Sequence, residues 1–416
     1  MHVMVLGAGV TGVTTAWYLR QAGFEVSIVD RQPAPGMETS FANGGQISVS
    51  HPEPWANPSA PLTVLRWLGR EDAPLRFRPH AQAAQWRWAL SFLHECLPWR
   101  SRRNTAAIAA LAMDSARRLR ELRETAALHY DQRQRGILHL FYNRSSFASV
   151  AARVRELQHF GMDVRACSAA ECVAIEPALG HVASTLRGGL YAPDDESGDA
   201  HLFTQALAER LREDGVRFHL NTRIERLSQT GGRIDGVEVR DEAGRTGILL
   251  ADHYVLCLGS YGTALMARLG VRLPIYPVKG YSLTAAVIAP ERAPEVSLTD
   301  ESRRIVCSRL GDRLRVAGTA ELDGFNTALR PERGRMLADW LNSRFPGAID
   351  PAAATLWAGL RPATPGNVPL IGKSPFERLW YNTGHGTLGW TLACGSGAAT
   401  ADLIAGRRPT PRFPFR

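Results

Sequence analysis

The stretch Val3-Met4-Val5-Leu6-Gly7-Ala8-Gly9-Val10-Thr11-Gly12, followed by Val26-Ser27-Ile28-Val29-Asp30, decides the fold. A short apolar strand runs into three glycines in Gly-x-Gly-x-x-Gly spacing. A helix opens at Val10 and continues through Ala16-Trp17-Tyr18-Leu19, and a second strand ends on an acid. Each part has a task in holding a dinucleotide. Gly7 permits the tight turn, Gly9 leaves room for a pyrophosphate, and Gly12 lets helix and strand approach closely. The free N–H groups and positive dipole end of the helix face the phosphates. Asp30 stands where it can accept hydrogen bonds from ribose hydroxyls. A lone glycine triplet says little; the strand, helix, second strand and acid around this one make it specific.

Asp30-Arg31 leads into Thr39-Ser40-Phe41-Ala42-Asn43-Gly44-Gly45-Gln46-Ile47. A small, polar, glycine-bearing loop after the second strand can run alongside an extended flavin, whereas an NAD protein more often enters its next helix directly. The alternative is an ordinary surface loop. A second glycine-rich segment, Asn382-Thr383-Gly384-His385-Gly386-Thr387-Leu388-Gly389-Trp390, separates a strand from the last helix. Backbone N–H groups at a helix N-terminus would stabilise negative charge on a reduced flavin; taken alone, the segment reads equally as a tight connection. Two such elements at opposite ends of the chain favour one shared cofactor, FAD.

With 416 residues, 45% of them hydrophobic and 21% charged, the chain can bury a large core, read as two domains. The net charge of +9 favours anionic partners such as a carboxylate substrate, a phosphate-rich cofactor or an acidic membrane face. The arginines are scattered, and nucleic acid is not expected. Six cysteines form no C-x-x-C pair and no metal-ligand spacing, so no metal is expected and a reducing compartment fits. No apolar run approaches the ~20 residues that span a bilayer, and no signal peptide precedes Val3. The expectation is a cytoplasmic protein, or one resting peripherally on the inner membrane.

The βα pattern at both ends, with mixed material between, implies an α/β fold: a Rossmann-like FAD-binding domain assembled from separated segments (1–50, 197–265 and 355–416). The remainder (51–196 and 266–354) would build an α+β substrate domain on a mixed or antiparallel sheet. Helices are expected at 81–97, 104–127, 147–160, 202–214, 330–344 and 389–404. Strands are expected at 137–142, 215–220, 224–227, 234–240, 249–258, 276–285, within 304–318 and at 380–382. Asp194-Asp195-Glu196 reads as a turn. The Trp- and Arg-rich stretch from Trp55 to Arg103 reads either as a surface for lipid headgroups or as a helical subdomain.

Arg361 lies in Trp357-Ala358-Gly359-Leu360-Arg361-Pro362-Ala363-Thr364-Pro365, on an apolar run and backed by Pro362. A guanidinium so placed makes a carboxylate clamp, or half of a structural salt bridge. Tyr276, Tyr281 and His385 are polar aromatics that, taken singly, read as packing residues. The absence of a serine nucleophile elbow, a His-Glu-x-x-His motif and an aspartate cluster leaves hydrolytic and metal chemistry unsupported.

Together these segments resemble the FAD-dependent D-amino-acid oxidase superfamily, and within it the bacterial D-amino acid dehydrogenases (small subunit). The resemblance runs the whole length and is carried by Asn43 to Ser48, Asp195-Glu196-Ser197-Gly198-Asp199, Lys279-Gly280-Tyr281-Ser282-Leu283-Thr284, Gly324-Phe325-Asn326-Thr327, Gly359 to Pro365 and Gly384 to Trp390. It implies FAD bound along Gly7, Gly9, Val10, Thr11, Gly12, Asp30, Arg31, Ser40, Asn43, Gly44, Gly45, Gln46, Ile224, Gly259, Gly384, Gly386, Thr387, Leu388 and Gly389. It implies a substrate carboxylate held by Arg361, with Tyr281 and His385 as further catalytic candidates, and oxidation of a D-amino acid to a 2-oxo acid and ammonia. Electrons would pass to a quinone-type acceptor. The superfamily often sets a tyrosine beside the arginine on the strand occupied here by Arg304-Ile305-Val306-Cys307. None stands there, so Tyr281 or Tyr276 serves or the role is absent. No cysteine or histidine anchor can be placed, which implies non-covalent FAD. The implied mechanism is hydride transfer from a substrate oriented by Arg361, needing no dedicated general base. Competing readings are a dehydrogenase for D-proline or cis-4-hydroxy-D-proline, a glycine- or sarcosine-type oxidase, an RNA-modifying flavoprotein and a non-catalytic subunit.

Overall fold

The computed structural model describes residues 1–67 and 73–416. The first strand, His2–Leu6, pairs in parallel with Glu25–Val29 on one side and His253–Leu256 on the other. Its residues Val3 to Leu6 are all buried, because layers cover both faces and leave no polar side. Val3 and Val5 meet the helices Val10–Gln21, Ala200–Glu213 and Gly389–Ile404, while Met4 and Leu6 meet a small antiparallel sheet. That sheet joins Arg223–Thr230, Arg233–Arg240 and Thr246–Leu249. The parallel sheet is extended by Leu379–Thr383 and Arg217–His219, with Leu370–Lys373 antiparallel at one edge.

A second, mixed sheet runs in the order Thr355–Ala363, Tyr276–Ala286, Arg313–Leu322, Ile305–Leu310, Ser297–Asp300, Ile137–Phe141, Gly188–Ala192 and Arg165–Ser168, with Leu75–Phe77 beside Arg313–Leu322. The apolar side chains of one face pack on the helix Pro331–Arg344. Residues from several of its strands border a cavity that the glycine loop also lines.

Several expectations shift. Residues 249–258 do not form one strand: Thr246–Leu249 belongs to the small sheet and His253–Leu256 to the parallel one. Leu250, between them, is 67% exposed, so apolar content alone did not mark a continuous buried strand. The helix expected over 147–160 divides into Arg144–Ala148 and Val150–His159, the first capped by Asn143, whose Oδ1 accepts from Ser146 N at 2.8 Å. Thr355–Ala363, assigned to the FAD-binding segments, pairs with Tyr276–Ala286 in the mixed sheet. The long helix Pro98–Thr125, assigned with the substrate domain, packs Leu119 and Leu122 into the core of the parallel sheet. Asp195 and Glu196 are buried: Asp195 accepts from the N–H groups of Val49 and Ser50 and from the Ser50 hydroxyl, and burial pushes its pKa up to about 7. All six cysteines are buried free thiols.

Candidate active site

The glycine loop folds as its residue types require. Gly7 has φ +109°, and a Cβ there would stand 2.8 Å from Cys257 O. A Cβ on Gly12 would stand 1.9 Å from Gly7 O, so this glycine serves helix–strand contact, and it alone of the expected cofactor residues does not border the cavity. Gly9 differs: its nearest atom would be Ser40 Oγ at 3.7 Å, which leaves the space above it for a ligand. Val10 N donates to Ser40 Oγ at 3.1 Å. The first amide of the helix is thus already committed, and the Ser40 proton remains to be donated. Asp30 accepts from Ala8 N at 2.6 Å through Oδ2 and from Gln32 N at 2.8 Å through Oδ1. Each oxygen keeps a lone pair for a ribose hydroxyl. Arg31 is held by Glu38 at 2.6 Å and lies over the Tyr261 ring, 3.9 Å from its centroid.

The loop after the second strand is fastened to the mixed sheet. Ser282 Oγ donates to Ala42 O at 2.6 Å, Ser308 Oγ to Gly44 O at 2.9 Å, and Gly45 N to Asn43 Oδ1 at 3.0 Å. A side chain at Gly44 would strike Val306 Cγ2 at 2.6 Å. The Gln46 carboxamide bonds to Ser297, Leu298 O and Thr299. At the other chain end, Gly384 has φ +82°, and no side chain caps the N-terminus of Gly389–Ile404.

One cavity of about 620 Å³ is bordered by every expected cofactor residue except Gly12, including Ile224 and Gly259, and also by Arg361, Tyr281 and His385. That size suits a cofactor with a small substrate. Five buried polar atoms on its walls lack a hydrogen-bond partner among the described residues: His139 Nε2, Ser260 Oγ, Thr319 Oγ1, His385 Nε2 and Trp390 Nε1. Buried polar groups are rarely left so, and polar ligands in the cavity, a cofactor and a substrate, would offer them partners. The uncapped helix end, the clear space over Gly9 and the Asp30 carboxylate fit FAD as that cofactor.

Arg361 faces Val278 across the sheet and is half-buried. Its Nη1 donates to Thr319 O at 2.9 Å, and its guanidinium lies 6.0 Å from the Trp55 ring centroid. No carboxylate pairs with it among the described residues. Burial pushes its pKa down to about 10, so it remains a cation at neutral pH. Tyr281 borders the cavity, but its hydroxyl donates to Glu321 Oε2 at 3.2 Å. That carboxylate also holds Lys279 at 3.3 Å and Arg333 at 3.1 Å. Tyr276 lies off the cavity, its hydroxyl accepting from Gln85 Nε2 and Gly324 N. His385 is buried, and desolvation lowers its pKa to about 3, so the ring is neutral.

Sequence reading missed Trp55, Thr319 and a group formed by His51, His139 and Glu301, all on the cavity wall or beside it. They come from segments far apart in the chain, and no spacing marks them. The two imidazoles stack at 5.6 Å, and His139 Nδ1 lies 2.9 Å from Glu301 Oε1. Arg153 donates to both His51 Nδ1 at 2.7 Å and Glu301 Oε1 at 3.0 Å, so a guanidinium already supplies the cation of this group.

The family of FAD-dependent oxidoreductases known as DAO matches residues 2–403. The chain belongs to that family. Its cofactor is therefore FAD. Among similar proteins is a D-amino acid dehydrogenase of Dechloromonas aromatica, 53% identical over 100% of this chain and 99% of that protein. Another D-amino acid dehydrogenase, of Paramagnetospirillum magneticum, is 49% identical over 98% and 96%. Glycine oxidase from Bacillus cereus superposes with a TM-score of 0.70 at 22% identity, covering 97% of this chain and 95% of its own. L-proline dehydrogenase from P. horikoshii does so at 0.73 and 18%, covering 98% and 94%. These two share the fold of this chain.

Proposed function

We infer that this chain oxidises D-amino acids to 2-oxo acids and ammonia and passes the electrons to a quinone-type acceptor. The observation that carries the substrate class is Arg361: a half-buried guanidinium with no acidic partner among the described residues, opening on the cofactor cavity. A substrate carboxylate answers that charge with a charge-assisted pair. Relatives at 43–53% identity over nearly the full chain are D-amino acid dehydrogenases, which favours this substrate over glycine, sarcosine, proline or RNA. Bound FAD supplies the two-electron acceptor for the substrate Cα–H bond. The chain's own part is positioning. Arg361 fixes the carboxylate, Trp55 lies beside the guanidinium, and neutral His385 offers a hydrogen bond without a charge.

The acceptor assignment is supported by the surface near the cavity. Thr63, Val64 and Trp67 of the helix Ala60–Trp67 border the cavity, while Leu62 and Leu65 are each 63% exposed. Trp86, Leu90, Leu93 and Leu97 are exposed apolar residues at helical spacing, with Arg66, Arg87, Arg102 and Arg103 also exposed. Apolar side chains among exposed arginines suit an anionic lipid surface where quinones dissolve. No helix among the described residues is long and apolar enough to cross a membrane, so such contact would be peripheral.

The test is a panel of D- and L-amino acids, glycine, sarcosine, D-proline and cis-4-hydroxy-D-proline, with a quinone analogue as acceptor beside an oxygen electrode. Broad D-amino acid turnover with little peroxide is expected. Turnover restricted to cyclic substrates, or rapid peroxide formation, would replace the reading.

A further inference from the structure

Thr319 combines three features that a residue chosen for packing would avoid. Its φ is +60°, in the left-handed region, which a β-branched side chain adopts only under strain. The cause is a β-bulge. Lys279 pairs with Glu321 and Tyr281 with Gly318, so Thr319 and Ala320 together oppose Gly280. The Thr319 carbonyl receives Arg361 Nη1 at 2.9 Å. Its hydroxyl belongs to a residue only 3% exposed that borders the cavity, and Oγ1 has no partner among the described residues. Glycine in this position would relax the backbone, and valine would spare the orphaned hydroxyl. The chain has neither.

We propose that the Thr319 hydroxyl is the second donor of the substrate-carboxylate site, completing with Arg361 a two-point clamp. This rests on the D-amino acid reading above. A carboxylate has about four lone-pair sites; the guanidinium takes some and a hydroxyl takes one more. The carbonyl and hydroxyl belong to the same residue, so the bulge that positions Arg361 also positions the second donor. Tyr281 does not compete for the role, because its proton goes to Glu321. The strand Ile305–Leu310, which lacks a tyrosine, is separated from the Arg361 strand by two others, whereas the Thr319 strand is separated from it by one.

The test uses the FAD-loaded full chain and Thr319→Val, Thr319→Gly and Thr319→Ser. Propionate is titrated against the visible flavin band, FAD affinity is measured by reconstitution of the apoprotein, and KM and kcat are measured separately for a D-amino acid. Thr319→Val should weaken propionate and raise KM by about tenfold, the loss of one hydrogen bond to a charged group, with kcat and FAD affinity nearly unchanged. Thr319→Ser should stay near the parent. Thr319→Gly, freed of strain, should melt higher yet lose the same affinity. This separates a binding role from a structural one and covers the case that the valine variant folds poorly. Unchanged propionate binding in the Val and Gly variants would overturn the proposal. Loss of FAD affinity in place of propionate affinity would also overturn it, by putting the hydroxyl on the cofactor. A parent protein that binds propionate but oxidises no D-amino acid would sink the substrate reading alone, with Thr319 still judged by the same titration.

Discussion

The guanidinium of Arg361 lies directly over Gly280 of the neighbouring strand: a Cβ at position 280 would stand 2.3 Å from Arg361 Cζ. The register puts Val278 opposite Arg361 and Gly280 opposite Gly359, so the arginine reaches diagonally across a surface with no side chain to block it. A methyl group at 280 must push the guanidinium off the site. Gly280→Ala is therefore expected to mimic Arg361→Ala, raising KM for D-amino acids while leaving the flavin bound. Losing the charge-assisted pair should weaken carboxylate binding by roughly 1.5–3 kcal/mol. Near-normal kinetics in either variant, read beside an intact flavin spectrum, would show the arginine to be structural.

Gly9 gives a sharper cofactor test than its neighbours. Side chains at Gly7 or Gly12 would collide with backbone atoms and damage the fold itself, whereas one at Gly9 meets only Ser40 Oγ, at 3.7 Å. Gly9→Leu should fold and purify colourless. A yellow variant with unchanged FAD affinity would mean the pyrophosphate lies elsewhere.

The nucleotide half of this site was legible in the sequence because its determinants are local. Gly7 to Gly12, Asp30 and the segment 384–389 sit at fixed offsets from a strand and a helix, and backbone sterics demand those residues there. Arg361 was legible as a candidate through its apolar setting, but its lack of an acidic partner among the described residues was not, since that depends on what other strands bring near. Thr319 was invisible: its strain comes from a bulge against Gly280, forty residues away by approximate count, and register has no local signature. The segment 355–363 was grouped with the FAD-binding segments, yet Thr355–Ala363 pairs with Tyr276–Ala286. Its apolar composition says nothing of which strand lies beside it.

His385 makes stability depend on pH in a definite direction. The folded ring has its pKa lowered to about 3 by burial, against 6.5 for the free side chain. Between those values the unfolded chain binds the extra proton, so this contribution is full above pH 6.5 and declines as pH falls, by about 1.4 kcal/mol per unit. Asp195 acts oppositely. Its pKa is raised from 3.8 to about 7, so the folded chain holds the extra proton in that window and gains as pH falls through 7. The two nearly cancel from pH 6.5 to 4.5, and removing one exposes the other. His385→Gln should therefore gain stability relative to the parent on acidification, by roughly 2 kcal/mol between pH 6.5 and 5. Urea unfolding at those two values measures it. Parallel pH profiles for variant and parent would show that position 385 does not titrate on unfolding.

The exposed apolar side chains separate membrane contact from chemistry. Leu62, Leu65, Leu90 and Leu93 are each at least half exposed, so replacing all four by serine removes little packing, and surface changes of that kind usually alter stability by under about 0.5 kcal/mol each. If these side chains rest on lipid, the variant should lose co-sedimentation with vesicles containing acidic lipid and lose turnover with a membrane-dissolved quinone. Turnover with a water-soluble dye should persist, since Arg361 and the flavin loops are untouched. Binding of the parent should weaken as salt rises, because attraction between the exposed arginines and lipid headgroups is screened beyond about 8 Å at physiological ionic strength. A variant that reduces membrane-dissolved quinone as fast as the parent would leave these helices a plain subdomain over the cavity and return the acceptor to the aqueous phase.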